Sequence, residues 1–275
     1  MKLPATRGAR LLKGALLAST LWLGSAHAIT FANGADVGWV SQQEASGYSW
    51  YSKSGVKTDP FVLLKNLQVN AIRLRVWVNP SGGWNDGRDV LAKAKRAAAQ
   101  GQRIMIDFHY SDSWADPGQQ TKPAAWANHT ISQLYQDVYA HTQGILNYLK
   151  SNGINVEWVQ VGNEINGGML WPQGSTSNFS QLAQMINNGY NAAKSVYPSA
   201  AVVVHLANGY KGADVQWFFD SLKNAGGKFD VVGLSHYPPA ADWLNYNNML
   251  DRTMHNVTFL WRWFHQMHHS PERVD

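Results

Sequence analysis

The chain has 275 residues, contains no Cys, and carries 13 Trp and 11 Tyr. Its length allows one large domain or two small ones, and the missing Cys excludes disulfides, thiolate metal sites and cysteine nucleophiles. The formal net charge of +5 lies mostly in the first 28 residues, so it is no evidence for a nucleic-acid or anionic-lipid partner.

Residues 1–28 predict a secretory signal. They combine four Lys or Arg residues, an apolar stretch over 14–24, and a small-x-small triplet at 26–28. This order is typical of a cleaved export signal and not of a membrane span. Removing those four leaves 19 of the 23 Lys and Arg against 18 Asp and Glu, a net charge of +1. We therefore expect a secreted or periplasmic protein that is monomeric if folded and has no membrane partner.

Short apolar strands alternate with helical patterns along the rest of the chain. The predicted strands are 34–40, 71–78, 103–109, 156–162, 201–206 and 230–236, and the predicted helices are 59–67, 89–100, 132–151, 179–196 and 213–225. Asp59 with Pro60 indicates one helix start, and Gly101 indicates a helix end. Because each crossover between parallel strands needs a helix, this alternation predicts a parallel α/β sheet.

The six βα units favour a (β/α)₈ TIM barrel over a doubly wound sheet. A nucleotide-binding doubly wound sheet would have a Gly-rich turn after its first strand, which this sequence lacks. After His236 only 39 of the 275 residues remain, whereas two further βα units need about 30 residues each. We therefore expect an incomplete barrel whose last units are missing or altered.

The predicted strand ends carry the candidate functional residues, because barrel enzymes place their chemistry there. Strict alternation puts Arg73 and Arg75 on one face of their strand. Arg75 is expected to hydrogen-bond a carboxylate at the barrel mouth, whereas Arg73 fits a structural ion pair inside the barrel. On the next strand, Asp107 fits a supporting role, and His109 and Trp114 are candidates for contact with a sugar.

Glu164 is the candidate proton donor. It follows a strand that is mostly apolar, stands next to Asn163, and precedes a loop that contains Trp171. A carboxyl group in that position is what sugar-cleaving barrels use to protonate a glycosidic oxygen. The alternative is an acidic residue at a helix N-terminus.

The later strand ends add polar and aromatic side chains that suit a carbohydrate cleft. The further candidates for substrate contact are His205, Asn208, His236 and Tyr237. No paired-His spacing predicts a metal site, no G-x-S-x-G motif predicts a hydrolase elbow, and we expect no cofactor.

The chain resembles the arabinogalactan endo-β-1,4-galactanases of glycoside hydrolase family 53. The matching stretches are 34–36, 71–77, 107–117, 161–165, 233–238 and 242–243. The resemblance implies retaining hydrolysis of internal β-1,4 linkages in galactan side chains of pectin. It also implies that Glu164 is the acid/base, that Asn163 steadies the substrate or nucleophile, and that Arg75 orients the nucleophile. His109, Trp114, His236 and Tyr237 would then lie near the scissile sugar.

The resemblance ends near residue 259. Family members have a nucleophilic Glu at the end of the seventh strand, but no acidic residue occurs from Arg252 to Pro271, and Glu272 is a poor substitute. We expect a signal at 1–28, a glycosidase domain at 29–259 and an aberrant tail at 260–275, as in a truncated or frameshifted member. Without that nucleophile we expect the chain to lack normal activity. We also expect it to aggregate or oligomerise, because an incomplete barrel leaves open sheet edges. Two alternatives remain, a non-catalytic galactan binder that uses Trp114, Trp171 and Trp243, and a hydrolase of another β-1,4-glycan such as mannan or cellulose.

Overall fold

The computed structural model describes residues 31–237 and the backbone of a short strand, Leu260–Arg262. The chain divides into an N-terminal unit, Met1–Phe31, and a second unit, Ala32–Asp275, whose architecture follows. The predicted signal at 1–28, Trp243 and Glu272 lie outside the described residues. Among the helices that the structure describes, none is long and apolar enough to cross a membrane.

The strands and helices alternate as the sequence predicts. The strands are β1 (Gly34–Asp36), β2 (Ala71–Val76), β3 (Arg103–Phe108), β4 (Trp158–Val161), β5 (Gly168–Met169), β6 (Gly174–Ser175), β7 (Ala201–Leu206), β8 (Val231–Leu234) and β9 (Leu260–Arg262). The α-helices are α1 (Val40–Ala45), α2 (Pro60–Asn66), α3 (Gly87–Ala99), α4 (Ile131–Ser151), α5 (Phe179–Val196) and α6 (Gly212–Asn224).

Seven strands form one sheet in the order β1-β2-β3-β4-β7-β8-β9, and every neighbouring pair is parallel. Within the described part of the chain, β1 pairs only with β2 and β9 only with β8. The fold is therefore an incomplete (β/α)₈ barrel, which confirms the predicted fold class. Strand β9 was not among the predicted strands, because the sequence around it is rich in aromatic residues and has no clear period.

Local sequence signals explain the element ends. The Asp59 side chain accepts a hydrogen bond of 2.7 Å from the Phe61 N–H, with Pro60 as the first residue of α2. Gly101 follows α3 with a φ of 66°, a left-handed conformation that glycine adopts without strain. The predicted strand 34–40 is wrong beyond Asp36, because the Asp36 side chain accepts a 3.0 Å bond from the Gly38 N–H and turns the chain.

Side-chain alternation divides the sheet into two faces. The outward residues of the strands, such as Ile72 and Leu74 of β2, join the large core between the sheet and the helices. The inward residues near the strand starts form a small second cluster, which comprises Ala71, Met105, Trp158, Val203 and Val231. Two positions further along four of these strands, the inward residues are polar, namely Arg73, Asp107, Gln160 and His205. The barrel interior is thus apolar at its base and polar toward the strand ends.

His141 lies on α4 among aromatic rings. Its ring centroid is 5.7 Å from that of Phe108 and 6.0 Å from that of Trp126, both edge-on. Its Nε2 makes no hydrogen bond to any described residue. Burial lowers the pKa of His141 from 6.5 to about 4, and the negative charge of Asp112 offsets this only in part. The folded protein therefore keeps this imidazole neutral at pH values where the unfolded chain would protonate it.

We predict that the free energy of unfolding falls as the pH is lowered from about 6.5 toward 4, by up to about 3 kcal/mol from this group alone. In this interval the unfolded chain binds a proton that the folded protein excludes. His141→Phe should reduce the loss, as measured by urea unfolding at pH 7 and pH 4.5. The control His129→Gln, at a more exposed histidine that contacts Asp137, should retain it. An unchanged pH dependence in His141→Phe would contradict the assignment.

Candidate active site

Glu164 follows β4 at the carboxyl end of the barrel sheet. Its backbone N–H donates to His205 Nδ1 at 3.3 Å, and its side chain is half-buried. The carboxyl group makes no hydrogen bond or ion pair with the residues that the structure describes. Glu164 has a φ of 51°, and Tyr110 after β3 and Asn208 after β7 have φ values of 50° and 57°. Three strand ends thus carry a left-handed non-glycine residue, a form of strain that clusters at functional sites.

Arg73 is the centre of a buried polar network below Glu164. Its guanidinium contacts Asp36 Oδ2 and Asp107 Oδ2, each at 2.7 Å. It also donates to Asn163 Oδ1 at 2.8 Å and to Gln160 Oε1 at 3.1 Å. Burial alone would lower the pKa of Arg73, but the carboxylates of Asp107 and Asp36 outweigh it and raise the pKa. The structure therefore supports the prediction that Arg73 forms an ion pair inside the barrel.

Asp107 shares this network from β3. Burial favours its neutral form, but the charge of Arg73, followed by the interaction with His109, lowers the pKa of Asp107 below its usual value. Its Oδ1 accepts a hydrogen bond from the Gln160 amide. An ionised carboxylate held by three neighbours orients them rather than reacting, which agrees with the supporting role expected from the sequence.

His109 is buried, and both of its ring nitrogens are occupied. Nε2 lies 3.0 Å from Asp107 Oδ2, and Nδ1 accepts the Ala115 N–H at 3.0 Å. Because Nδ1 accepts a hydrogen bond, the ring proton lies on Nε2, which donates to Asp107. The His109 ring meets the Trp114 ring edge-on, with 5.2 Å between the two ring centroids. His109 thus ties the loop after β3 to the buried network.

Asn163 is buried and uses both atoms of its amide. Oδ1 accepts from Arg73, and Nδ2 donates to the Ala115 carbonyl at 2.7 Å. His205 Nδ1 lies 3.1 Å from Asn163 Oδ1, and His205 Nε2 lies 3.0 Å from Ser235 Oγ at the end of β8. The network therefore extends from β1 across the sheet to β8.

Arg75 lies under a group of three tryptophans. Its guanidinium carbon is 4.1 Å from the Trp39 ring centre, 4.7 Å from that of Trp114 and 5.6 Å from that of Trp77. Among the described residues, the only carboxylate within 4.0 Å of its nitrogens is that of Asp36, 3.8 Å from Nη1, and Nε and Nη2 have no hydrogen-bond partner there. Burial lowers the pKa of Arg75 despite the charge of Asp36. The contact with Asp36 is thus a long ion pair, and the closest packing is with aromatic rings. The hydrogen bond from Arg75 to a carboxylate at the barrel mouth stays a prediction.

Gly38 packs against the Arg75 side chain, and Lys93 hydrogen-bonds to Gly38. A Cβ at Gly38 would lie 2.7 Å from the guanidinium carbon of Arg75, so a larger residue there would require the Arg75 side chain to move. The fully buried Lys93 ammonium donates to the Gly38 carbonyl at 2.8 Å, to Asn85 Oδ1 at 2.9 Å and to Asp89 Oδ2 at 2.8 Å. Lys93 was missed from the sequence, because a lysine in an Ala/Lys-rich helix looks like a surface residue.

The remaining candidates lie at the same end of the barrel but at its rim. Asn208 is exposed just after β7. His236 follows β8 and lies 6.3 Å from the Tyr210 ring, and Tyr237 is 56% exposed. Between the loops after β3 and β4 lies a cavity of about 450 Å³, lined by Gly118, Gln119, Gln120, Thr121, Lys122, Ala127 and Trp171. In residues 31–237, no group of three or more His, Asp or Glu side chains is arranged to hold a metal ion.

Known proteins are similar to this chain in sequence. The model of glycosyl hydrolase family 53 matches residues 32–264. Arabinogalactan endo-β-1,4-galactanase A of Aspergillus niger is 37% identical over 229 residues, which cover 81% of this chain and 65% of the relative. The curated relatives are longer, and the chain spans between 59% and 65% of the first few.

Two solved structures resemble the fold closely. A family 53 catalytic domain from Ignisphaera aggregans has a TM-score of 0.76 and 38% identity, over 81% of this chain and 65% of that one. A fungal β-1,4-galactanase structure has a TM-score of 0.78 and 34% identity, over 82% of this chain and 70% of that one.

We predict that Arg73→Met lowers the free energy of unfolding by about 3–5 kcal/mol, because it leaves Asp107 buried without its cation. Guanidinium unfolding measures the loss. The control is Arg88→Met, whose side chain is 84% exposed beside Asp86 and should change stability by less than about 1 kcal/mol. Equal effects of the two substitutions would contradict the role of Arg73.

Proposed function

The chain belongs to glycosyl hydrolase family 53, and we propose that it carries the substrate cleft and the proton-donating half of an endo-β-1,4-galactanase. Its substrate is the galactan side chain of pectin. The single observation that carries this proposal is the Glu164 carboxyl group, which is unpaired among the described residues and stands at a barrel strand end above a saturated polar network.

The geometry supports Glu164 as the acid/base. The polar side chains of the network below it are engaged with one another, Asp107 with Arg73 and Asn163 with Ala115. A glycosidic oxygen must approach a proton donor to roughly 2.6–3.2 Å. The Glu164 side chain is half-buried and not fully enclosed, which is compatible with such an approach. It would protonate the leaving oxygen and then deprotonate the incoming water.

Some of the other strand-end residues support the backbone around Glu164, and others would contact the sugar. Asn163, His109 and His205 are buried and hydrogen-bonded, so we assign them to fixing the turn at Glu164 and the loop after β3. The buried Arg75 contacts Trp114 through a cation–π interaction, and we assign the half-buried Trp114 to a wall of the cleft. The rim residues that would contact sugar hydroxyls are Asn208, His236 and Tyr237.

Retaining chemistry also needs a carboxylate that attacks the anomeric carbon, in family members at the end of the seventh strand. Here the seventh strand of the sheet is β9, and it ends at Arg262. The sequence holds no Glu from 165 to 271. We therefore propose that the chain as written has the acid/base without the nucleophile, and so lacks the covalent route. This observation favours a second candidate function, the binding of galactan without cleavage.

The cavity between the loops after β3 and β4 supports saccharide binding. It has a volume of about 450 Å³, and its lining combines the Trp171 ring with the amide of Gln119 and the hydroxyl of Thr121. An aromatic face with nearby amide and hydroxyl groups suits a sugar ring. The family favours galactose over the glucose or mannose of other β-1,4-glycans, and the first 28 residues support an exported location.

We predict that the purified chain releases reducing ends from galactan at least about 10⁴-fold more slowly than full-length family members, because catalytic groups that act as a unit fail together. Glu164→Gln should then be indistinguishable from the native chain. Turnover comparable to that of full-length relatives, abolished by Glu164→Gln, would refute the absence of a nucleophile.

We also predict that galactan oligosaccharides bind the native chain, and that Trp171→Ala weakens binding about fivefold, the equivalent of about 1 kcal/mol of stacking. Titration calorimetry measures both affinities. Trp217→Ala is the matched control, since Trp217 is 54% exposed on α6 and away from the cavity lining. Preference for mannan or cellulose oligosaccharides would contradict the assigned polymer.

A further inference from the structure

The turn that presents Glu164 is held by side chains. Gly162 has a φ of 83° and Glu164 a φ of 51°, so the backbone leaves β4 through two left-handed residues. A glutamate in this region is strained unless neighbouring groups hold it there. The hydrogen bonds of this turn therefore decide where the carboxyl group points.

The carbonyl oxygens of three consecutive residues in the turn accept from glutamine amides. Gln160 Nε2 donates to the Gly162 carbonyl at 2.9 Å. Gln120 Nε2 donates to the Asn163 carbonyl at 2.9 Å and contacts the Glu164 carbonyl at 3.4 Å. On the opposite side, His205 Nδ1 receives the Glu164 N–H at 3.3 Å, and the His205 carbonyl receives the Ile165 N–H at 3.0 Å. The peptide groups of Glu164 are thus held from both sides.

Gln120 is itself fixed. It is only 2% exposed, and its backbone carbonyl accepts the backbone N–H of Trp171 at 2.9 Å. Its Nε2 also contacts the Asp116 carbonyl at 3.0 Å. One amide nitrogen therefore faces three carbonyl oxygens, from the loop after β3 and from the turn after β4. Only a hydrogen-bond donor fits there, because a carboxylate would be repelled by all three oxygens.

We infer that Gln120 is a positioning residue for Glu164. Its amide N–H groups hold the Asn163 and Glu164 carbonyls in the left-handed turn and so set the direction of the Glu164 carboxyl group. An amide does not titrate, so this positioning is the same at every pH at which the acid/base works. The functional consequence rests on the proposed function, but the positioning itself can be observed without any substrate.

The sequence permits a direct test, because the chain contains four glutamates, Glu44, Glu157, Glu164 and Glu272. Glutamate labelled with ¹³C at the side-chain carboxyl gives four carbonyl signals by NMR, and Glu164→Gln assigns one of them. There are two test variants. Gln120→Met keeps the side-chain length and removes the hydrogen-bond donor. Gln120→Asn keeps the amide but shortens the side chain, so that the amide lies farther from the Asn163 and Glu164 carbonyls. The control is Gln136→Glu, at an exposed position on α4.

We expect Gln120→Met to shift or broaden the Glu164 signal while the Glu44 and Glu157 signals stay in place, and Gln120→Asn to do so less. Gln136→Glu should leave the Glu164 signal unmoved. In titrations with galactan oligosaccharides, Gln120→Met should bind more weakly, on the order of fivefold for one lost hydrogen bond.

A Glu164 signal unchanged in folded Gln120→Met would overturn the positioning role, as would an equal shift in Gln136→Glu. If neither Gln120 variant folds, Gln120 is a structural residue and the inference is also overturned. If the native chain binds no galactan while the NMR shifts occur as expected, the proposed function fails and the positioning of Glu164 stands.

Discussion

The buried guanidinium of Arg73 is the constraint on which the rest of the site depends. It ties β2 to Asp36 on β1 and to Asp107 on β3, and it reaches Asn163 after β4. A cation this deep is tolerated only where carboxylates and amides satisfy it on all sides. The interior of the barrel is therefore polar at this level, and the contacts with Arg73 orient its neighbours. The apolar cluster below it, around Met105 and Trp158, keeps water away from the charges and strengthens their attraction.

The turn at Glu164 inherits its geometry from this network. Asn163 accepts from Arg73 through its side chain, while its carbonyl accepts from Gln120. The adjacent Glu164 keeps its carboxyl group outside the network, half-buried and unpaired among the described residues. The arrangement separates two tasks. Buried groups that carry or compensate charge hold the backbone, and we propose that the Glu164 carboxyl group exchanges a proton with a substrate.

The sequence predicted those parts of the fold whose signals are local. Alternation along β2 placed Arg73 and Arg75 on one face, Asp59 with Pro60 marked the start of α2, and the strand ends pointed to Glu164. The sequence did not reveal side chains whose partners lie far along the chain. Gln120 contacts carbonyls 43 and 44 residues away, and Lys93 contacts a carbonyl 55 residues away. Glutamine in a loop and lysine in a helix have no pattern that distinguishes these roles from solvent exposure.

The seventh strand is where the chain departs from the chemistry of its family. Strand β9 takes its place in the sheet beside β8, yet the sequence at its end is Arg262 followed by Trp263. We propose that the backbone order of a barrel enzyme persists here without the carboxylate that the retaining mechanism requires. On this proposal, a binding cleft with a proton donor remains.

The most direct test of the account is a crystal structure of the chain with a bound galactan oligosaccharide. The account predicts sugar rings across the carboxyl ends of the strands, with a glycosidic oxygen within about 3.2 Å of the Glu164 carboxyl group. An oligosaccharide bound elsewhere, or a Glu164 carboxyl group directed away from every glycosidic oxygen, would contradict it.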